Sequence, residues 1–195
     1  MKKAFVTLSL FLFVGFQANA QRVENFQLND VLSGNEFTLN AHSEAKGVVL
    51  IFTSLNCPFS KLYEDRIVQL HQTFSSDGFV FALINPHINV DEGEKPEDMK
   101  GRAAEKNINF PFLADADQGV AKQLGITKLP EVLVITPSPT GFSVAYRGAI
   151  DNNPQVAASA NIKYLESALH AIQNRRNPSP SSSRAVGCNL KLLNY

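Results

Sequence analysis

The hydrophobic pattern changes its period around residue 57. Residues 48–52, Val-Val-Leu-Ile-Phe, form a continuous apolar run after Gly47, which is typical of a buried parallel strand. Apolar residues then recur at helical spacing, and they are Phe59, Leu62, Tyr63, Ile67, Leu70 and Phe74. Because Pro58 suits a first helical position, this spacing predicts a helix over residues 58–74. Cys57 is therefore expected on the turn between the strand and the helix.

A cysteine at the start of a helix is a candidate nucleophile. The first N–H groups of a helix have no intrahelical partner and the helix dipole favours negative charge there, so a thiolate is stabilised relative to a thiol. The position alone leaves two other interpretations of Cys57 open. It could be a buried apolar side chain, or half of a stabilising disulfide.

The remaining pattern alternates strands with helices. We predict a hairpin over residues 23–39 with its turn at 33–35, strands over 79–84, 132–136 and 142–147, and helices over 97–106, 119–124 and 159–174. The last helix carries an apolar stripe of Ile162, Leu165, Leu169 and Ile172 that can cover a sheet. Residues 177–183 are rich in proline and serine, which indicates a polar linker.

The N-terminus has the features of a secretory signal. Lys2 and Lys3 precede an apolar run over residues 4–16, and Ala18-Asn19-Ala20 resembles a cleavage site. We predict a signal peptide over 1–20, a domain over 21–176 and a tail over 177–195. The alternative, an uncleaved anchor, is disfavoured because the run is shorter than the ~20 residues of a membrane span. The protein is thus expected to be exported, periplasmic or secreted, without stable membrane insertion after cleavage.

Composition fits one exported domain. The chain has 195 residues, 44% of them hydrophobic, which is enough for one substantial core. Lys+Arg and Asp+Glu both number 18, and removing the two signal lysines leaves 16 against 18, a net charge of −2. Nothing in this balance indicates a nucleic-acid partner. Two cysteines in an exported chain are a candidate pair.

Two separated motifs resemble a known family. Cys57-Pro58-Phe59-Ser60 and the later Lys128-Leu129-Pro130-Glu131-Val132 resemble the thioredoxin-like fold. The flanking pieces resemble its redoxin branch, which contains the alkyl hydroperoxide reductase/thiol-specific antioxidant and periplasmic thiol-disulfide reductase families. These pieces are Phe26-x-Leu28-x-Asp30 with Gly34, Phe110-Pro111-Phe112-Leu113-x-Asp115, and Ala121-x-x-Leu124-Gly125-Ile126.

The resemblance implies an α/β protein with three α/β/α layers around a mixed sheet, preceded by the N-terminal hairpin and followed by a flexible C-terminal tail. It also implies a cis Leu129–Pro130 bond facing Cys57, with Leu129 and Pro130 on the substrate side. We expect Pro58 and Phe59, next to the cysteine, to contact substrate as well. No cofactor is expected.

The second thiol needed for a redox cycle is expected from the tail. Ser60 takes the place of the second cysteine of a thioredoxin CxxC, and Cys188 is the other cysteine of the chain. Residues 177–188 could extend ~40 Å. We therefore predict a thiol-disulfide oxidoreductase in which Cys57 attacks and Cys188 resolves, with a thiol or disulfide protein as substrate and an external thiol as reductant. The alternative is a permanent disulfide that pins the tail.

Two further functions remain open. A thiol peroxidase acting on a small peroxide is the first, although peroxiredoxins carry a proline seven and a Thr/Ser three residues before their cysteine, where this chain has Leu50 and Ser54. Peroxiredoxins also carry an active-site arginine, for which Arg147 is the candidate here, although an ordinary surface charge is the favoured interpretation of Arg147. A copper or redox binding protein is the more remote second function, since the CxxxC spacing of the copper chaperones is absent.

We predict no metal site. His87 with Asp91, Glu92 and Glu94 could offer ligands in a polar loop, but their spacing matches no defined motif. Residues 115–119 superficially resemble a calcium loop and lack its later ligands. We expect Asp117 to cap the following helix instead.

Overall fold

The structure is a computed structural model that describes residues 21–193, so the predicted signal peptide lies outside the described residues. The strands are β1 (Arg22–Val23), β2 (Gln27–Asp30), β3 (Glu36–Thr38), β4 (Gly47–Phe52), β5 (Phe79–Asn85), β6 (Phe112–Ala114), β7 (Lys128–Leu129), β8 (Glu131–Ser138), β9 (Gly141–Gly148) and β10 (Cys188–Asn189). The helices are α1 (Pro58–Phe74), α2 (Pro96–Lys106), α3 (Gly119–Gln123) and α4 (Tyr164–Gln173).

A mixed sheet forms the centre, in the order β1-β9-β8-β4-β5-β6-β2-β3. β4 lies in its middle, parallel to β5 and antiparallel to β8. The predicted hairpin is β2 paired with β3. A separate two-stranded sheet joins β10 to β7, far apart in the chain.

The side chains of β4 alternate between two apolar layers. Val49 and Ile51 pack with residues of α1, α2 and α4 on one face of the sheet. Val48, Leu50 and Phe52 pack with residues of α3 on the other face. All five are completely buried, as expected for a central strand covered on both sides. This is the three-layer thioredoxin-like arrangement that the family resemblance implies.

The last helix begins later than predicted. α4 starts at Tyr164, whereas the periodicity predicts a helix from residue 159. The preceding segment pairs instead with the loop at Asn152. The Asn152 N–H donates to the Ile162 carbonyl at 3.1 Å, and the Ile162 N–H donates to Asn152 Oδ1 at 3.1 Å. Ile162 is consequently 48% exposed and lies outside the apolar stripe.

The tail lies against the domain, where it contacts β9 and β7, and does not extend away from it. Ser182 forms a parallel bridge to Arg147 of β9, and Cys188 and Asn189 form β10 on the edge of β7. Among residues 21–193, no helix has both the length and the apolar character needed to span a membrane.

Candidate active site

Cys57 occupies the turn between β4 and α1, as the sequence predicts. It is the N-cap residue of α1, and Pro58 takes a first-turn position. The Cys57 side chain is 3% exposed. The unpaired N–H groups and the dipole of a 17-residue helix favour a thiolate at this point whenever Cys57 is reduced.

The carboxylate of Glu94 holds the turn that precedes the cysteine. One Glu94 oxygen accepts hydrogen bonds from the Ser54 hydroxyl at 2.5 Å and the Asn56 N–H at 2.8 Å. The other accepts from the Leu55 N–H at 2.8 Å and the Asn85 side-chain amide at 2.9 Å. Glu94 is fully buried, so these donors stabilise a charge that would otherwise be costly to bury. Glu94 thereby fixes the backbone that carries the cysteine.

Ser60 belongs to the same turn. Its hydroxyl oxygen accepts a hydrogen bond from the Ser54 backbone N–H at 3.3 Å, and the residue is buried. This contact fits the expectation that Ser60 serves the helix start.

Leu129 and Pro130 face the cysteine. Their peptide bond is cis, as the resemblance implies. The carbonyl oxygen of Leu129 lies 3.2 Å from Cys57 Sγ, while the Leu129 side chain is buried in the core layer next to α3. Pro58 is exposed and Phe59 is half-buried beside the cysteine. The predicted role of these four residues in binding substrate remains a prediction.

Cys188 reaches Cys57 because the tail adds a short strand to β7. The two cysteines form a disulfide with their Cα atoms 6.0 Å apart and 131 residues apart in sequence. Cys188 pairs with Leu129 and Asn189 pairs with Lys128. The Leu190 N–H then donates to the Thr127 carbonyl at 3.0 Å. The structure therefore joins the two predicted redox cysteines directly.

The serine-rich part of the tail makes its own contacts with β9. The Arg147 N–H donates to the Ser181 carbonyl at 3.1 Å, and the Ser183 N–H donates to the Arg147 carbonyl at 2.9 Å. The Ser183 hydroxyl lies 2.7 Å from the Tyr146 hydroxyl and accepts from the Ala149 N–H at 2.9 Å. Polar groups, not apolar packing, hold this segment.

His87 and Asp91 bind the end of the tail. His87 is buried, and its Nε2 accepts a hydrogen bond from the Lys191 N–H at 3.1 Å. Both oxygens of Asp91 lie 2.8 Å from the Lys191 ammonium. Burial lowers the pKa of His87, and the Lys191 cation lowers it further, against the opposing charges of Glu94 and Asp91.

The polar loop after β5 carries the four possible metal ligands considered in the sequence, and the structure brings three of them together. Ligand atoms of His87, Asp91 and Glu94 lie within 4.8 Å of one another, whereas Glu92 is exposed. The Glu94 oxygens already accept four hydrogen bonds, and Lys191 supplies the cation beside Asp91. In this arrangement Glu94 binds the turn before the cysteine, and His87 and Asp91 bind the tail.

Arg147 is neither a free surface charge nor a group directed at the cysteine. Its guanidinium donates to Glu131 at 2.7 Å and to the Leu124 carbonyl at 2.7 Å. A third bond reaches the Gly125 carbonyl at 2.5 Å. These contacts tie β9 to the end of α3.

The family model described as the AhpC/TSA family matches residues 20–151. The chain belongs to this family. No curated protein matches the chain.

Solved structures give the same fold. An uncharacterised conserved protein from Geobacillus kaustophilus is 26% identical, with a TM-score of 0.81 over 89% of this chain and 92% of that chain. The peroxidoxin BcpB from Mycobacterium tuberculosis is 19% identical, with a TM-score of 0.60 over 81% and 97%. The thioredoxin domain of a thiol-disulfide oxidoreductase from Bacteroides vulgatus is 18% identical, with a TM-score of 0.54 over 68% and 91%. The last two likenesses establish the thioredoxin-like fold.

Sequence reasoning missed the roles of two buried polar residues. Glu94 appeared only as a candidate metal ligand, although it organises the turn before the cysteine. Gln118 was not singled out, yet it is fully buried and its side chain bonds the tail backbone. Asp117 does accept from the Gly119 N–H at the start of α3, as predicted, but Asp115 binds the next two N–H groups of that helix.

Proposed function

We propose that this AhpC/TSA-family protein is an exported thiol-disulfide oxidoreductase, with Cys57 as the attacking thiolate and Cys188 as the resolving thiol. The single observation that carries the proposal is the Cys57–Cys188 disulfide between a helix N-terminus and a tail strand. This pairing supplies the second thiol that the Cys57-Pro58-Phe59-Ser60 motif lacks.

The cycle requires two exchanges. The Cys57 thiolate attacks one sulfur of a substrate disulfide, so that this bond breaks, a Cys57–substrate bond forms, and the other substrate sulfur leaves as a thiolate that takes a proton from water. The Cys188 thiolate then attacks Cys57 Sγ and releases the second substrate sulfur as a thiolate. The substrate gains two electrons, and the protein loses two as its two thiols form the Cys57–Cys188 bond. An external thiol reductant restores both cysteines.

The reductant has an accessible point of attack. Cys57 is buried, whereas Cys188 is partly exposed. Attack on Cys188 Sγ would expel Cys57 as a thiolate at the helix N-terminus, and a stabilised thiolate is the better leaving group. This asymmetry supports a reversible bond over one that permanently pins the tail.

Disulfide exchange is favoured over peroxide reduction because the groups suited to polarising a peroxide are already engaged. The Ser54 hydroxyl donates to Glu94, and the Arg147 guanidinium binds Glu131 and two carbonyls. The position of the peroxiredoxin proline is Leu50, a buried residue of β4. A thiol peroxidase, the activity named for the similar peroxidoxin BcpB, remains the competing function.

Matched serine variants test the proposal. Reduced Cys188→Ser protein should accumulate mixed disulfides at Cys57 with glutathione or with partner proteins, and Cys57→Ser should accumulate none. Intact-mass measurement after acid quenching gives the amount of mixed disulfide in both variants. Fast oxidation of Cys57 by hydrogen peroxide, with no exchange with disulfides, would establish the peroxidase instead.

A further inference from the structure

The tail lies in a groove that recognises an extended chain well beyond the cysteine. We call it the tail groove and define it by the backbone of residues 127–129 and the side chains of Gln118, His87 and Asp91. The backbone edge pairs with β10 and accepts the Leu190 N–H at Thr127. The three side chains contact the residues that follow.

Two buried side chains in the groove bind the tail through its backbone groups, and Gln118 Nε2 also donates to the Pro86 carbonyl at 2.9 Å. Gln118 is 0% exposed; its Nε2 donates to the Lys191 carbonyl at 2.7 Å and its Oε1 accepts from the Leu193 N–H at 3.0 Å. His87 is 2% exposed and its Nε2 accepts from the Lys191 N–H. Because they bind backbone groups, these side chains would bind another extended chain equally well.

Three other contacts of the groove depend on the side chains of the bound segment. An added Cβ at Gly187, just before the cysteine, would lie 2.0 Å from the Leu129 carbonyl oxygen, so only glycine fits there. Leu190, two residues after the cysteine, packs on the apolar layer next to α3. Lys191, three residues after it, pairs with Asp91.

Opening the disulfide leaves this groove without its covalent hold on the tail. If the tail then leaves, Thr127 O, His87 Nε2 and Gln118 Oε1 lose their partners, and Gln118 Nε2 keeps only its bond to the Pro86 carbonyl. Buried polar groups without partners are costly. Asp91 also loses its counter-ion. The reduced protein therefore presents a groove suited to another extended segment of the same chemistry.

We propose that the tail groove is the subsite for the oxidised substrate, an extended polypeptide segment with glycine before its disulfide-bonded cysteine, an apolar residue two positions after it and a lysine or arginine three positions after it. The inference rests on the proposed exchange at Cys57. The tail and the substrate segment occupy the groove in turn: the substrate segment leaves the groove while its sulfur is still bonded to Cys57, the tail returns, and Cys188 then attacks Cys57 Sγ and releases the substrate thiolate.

Synthetic peptides test this specificity. The enzyme is the reduced full chain carrying Gly187→Ala, which unseats the tail, and Cys188→Ser, which stops the cycle after the first exchange. The probe is the peptide Arg-Ala-Val-Gly-Cys-Asn-Leu-Lys-Leu-Leu, whose cysteine carries a 2-nitro-5-thiobenzoate group. Release of the coloured thiolate measures attack by Cys57. Matched peptides carry glutamate for the lysine, or alanine for the glycine.

We expect the lysine peptide to react about fivefold faster than the glutamate peptide, the range of one partly exposed ion pair replaced by repulsion. Adding Asp91→Lys should reverse this ratio, whereas the control Glu97→Lys, with the same change in net charge, should leave it unchanged. The alanine peptide should react more slowly than the glycine peptide.

The outcomes separate the two proposals. Equal rates for all peptides, or a ratio unaffected by Asp91→Lys, would overturn the substrate subsite while exchange with glutathione disulfide still supported the proposed function. Failure of Cys57 to exchange with glutathione disulfide as well as with every peptide would overturn the proposed function itself.

Discussion

The two cysteines of the disulfide belong to regions held by different forces. Cys57 follows β4, whose side chains are all buried between two apolar layers, and is the N-cap residue of a 17-residue helix. Cys188 lies in a two-residue strand that is held by hydrogen bonds, one ion pair and the disulfide itself. The first region is fixed by the core, whereas the second is held by one covalent bond and by polar contacts.

This difference suits the two roles assigned to the cysteines. A nucleophile benefits from a fixed turn, because the turn keeps the thiolate at the helix N-terminus and beside the cis Leu129–Pro130 bond. A resolving thiol must first leave and then return, so it belongs on a segment with little apolar anchoring. In the proposed cycle, the polar contacts would guide its return to one register on β7.

The largest predicted contrast is in stability. Replacing Ile51 of β4 by alanine should lower the free energy of unfolding by about 2–5 kcal/mol, because Ile51 is completely buried in a close-packed layer. Replacing the half-buried Leu190 of the tail should cost less than about 1 kcal/mol. Urea unfolding of both oxidised variants measures the two losses. Equal losses would mean that the tail is part of the core.

A smaller contrast concerns how the tail returns. Gly187→Ala should slow closure of the Cys57–Cys188 bond by about tenfold or more, since a Cβ cannot fit against the Leu129 carbonyl and overpacking costs about 1–3 kcal/mol. The measurement is release of glutathione from Cys57 in the pre-formed mixed disulfide. The control is Gly101→Ala, where an added Cβ meets no atom within 4 Å. Similar slowing in both variants would contradict docking through residue 187.

The smallest predicted effect is on pH dependence. Burial lowers the pKa of His87 while the tail is seated, whereas a released tail lets the pKa return toward 6.5. The protein with its tail docked therefore binds fewer protons than the protein with its tail released. Docking of the tail is most favourable above pH 6.5 and becomes less favourable as the pH falls below 6.5.

Hydrogen exchange at the Lys191 N–H, corrected for its intrinsic rate, measures this effect. Protection should fall below pH 6.5 by at most roughly tenfold per pH unit, the limit for one proton. The charged groups around His87 are Asp91, Glu94 and Lys191, and none of them replaces its ring as the acceptor of the Lys191 N–H. His87→Gln should remove the dependence; an unchanged profile in that variant would assign it to another group.

Local patterns predicted the fixed region well. The apolar run at 48–52, the helical spacing after Pro58 and the cysteine between them are all confirmed, because one short stretch of sequence determines each. The cis bond before Pro130 came from the family resemblance, since composition does not show it. The predicted start of the last helix was wrong because Asn152 binds Ile162 in a non-helical segment. Helical periodicity carries no information about such a contact.

The polar contacts of the tail, and of the turn before Cys57, could not be predicted in the same way. Ser54 and Glu94 lie 40 residues apart, and Gln118 and Lys191 lie 73 residues apart. Such polar residues resemble ordinary solvated loop residues until the fold brings their partners to them. The two-residue β10 carries no strand pattern of its own and exists only because the edge of β7 accepts it.

The most direct test of the account is the order in which the two cysteines react. Fully reduced protein would be mixed with glutathione disulfide, quenched with acid at successive times and mapped by peptide mass. The account predicts that glutathione appears first on Cys57 and disappears as the Cys57–Cys188 bond forms. Glutathione appearing first on Cys188, or a native disulfide that thiols cannot open, would contradict it.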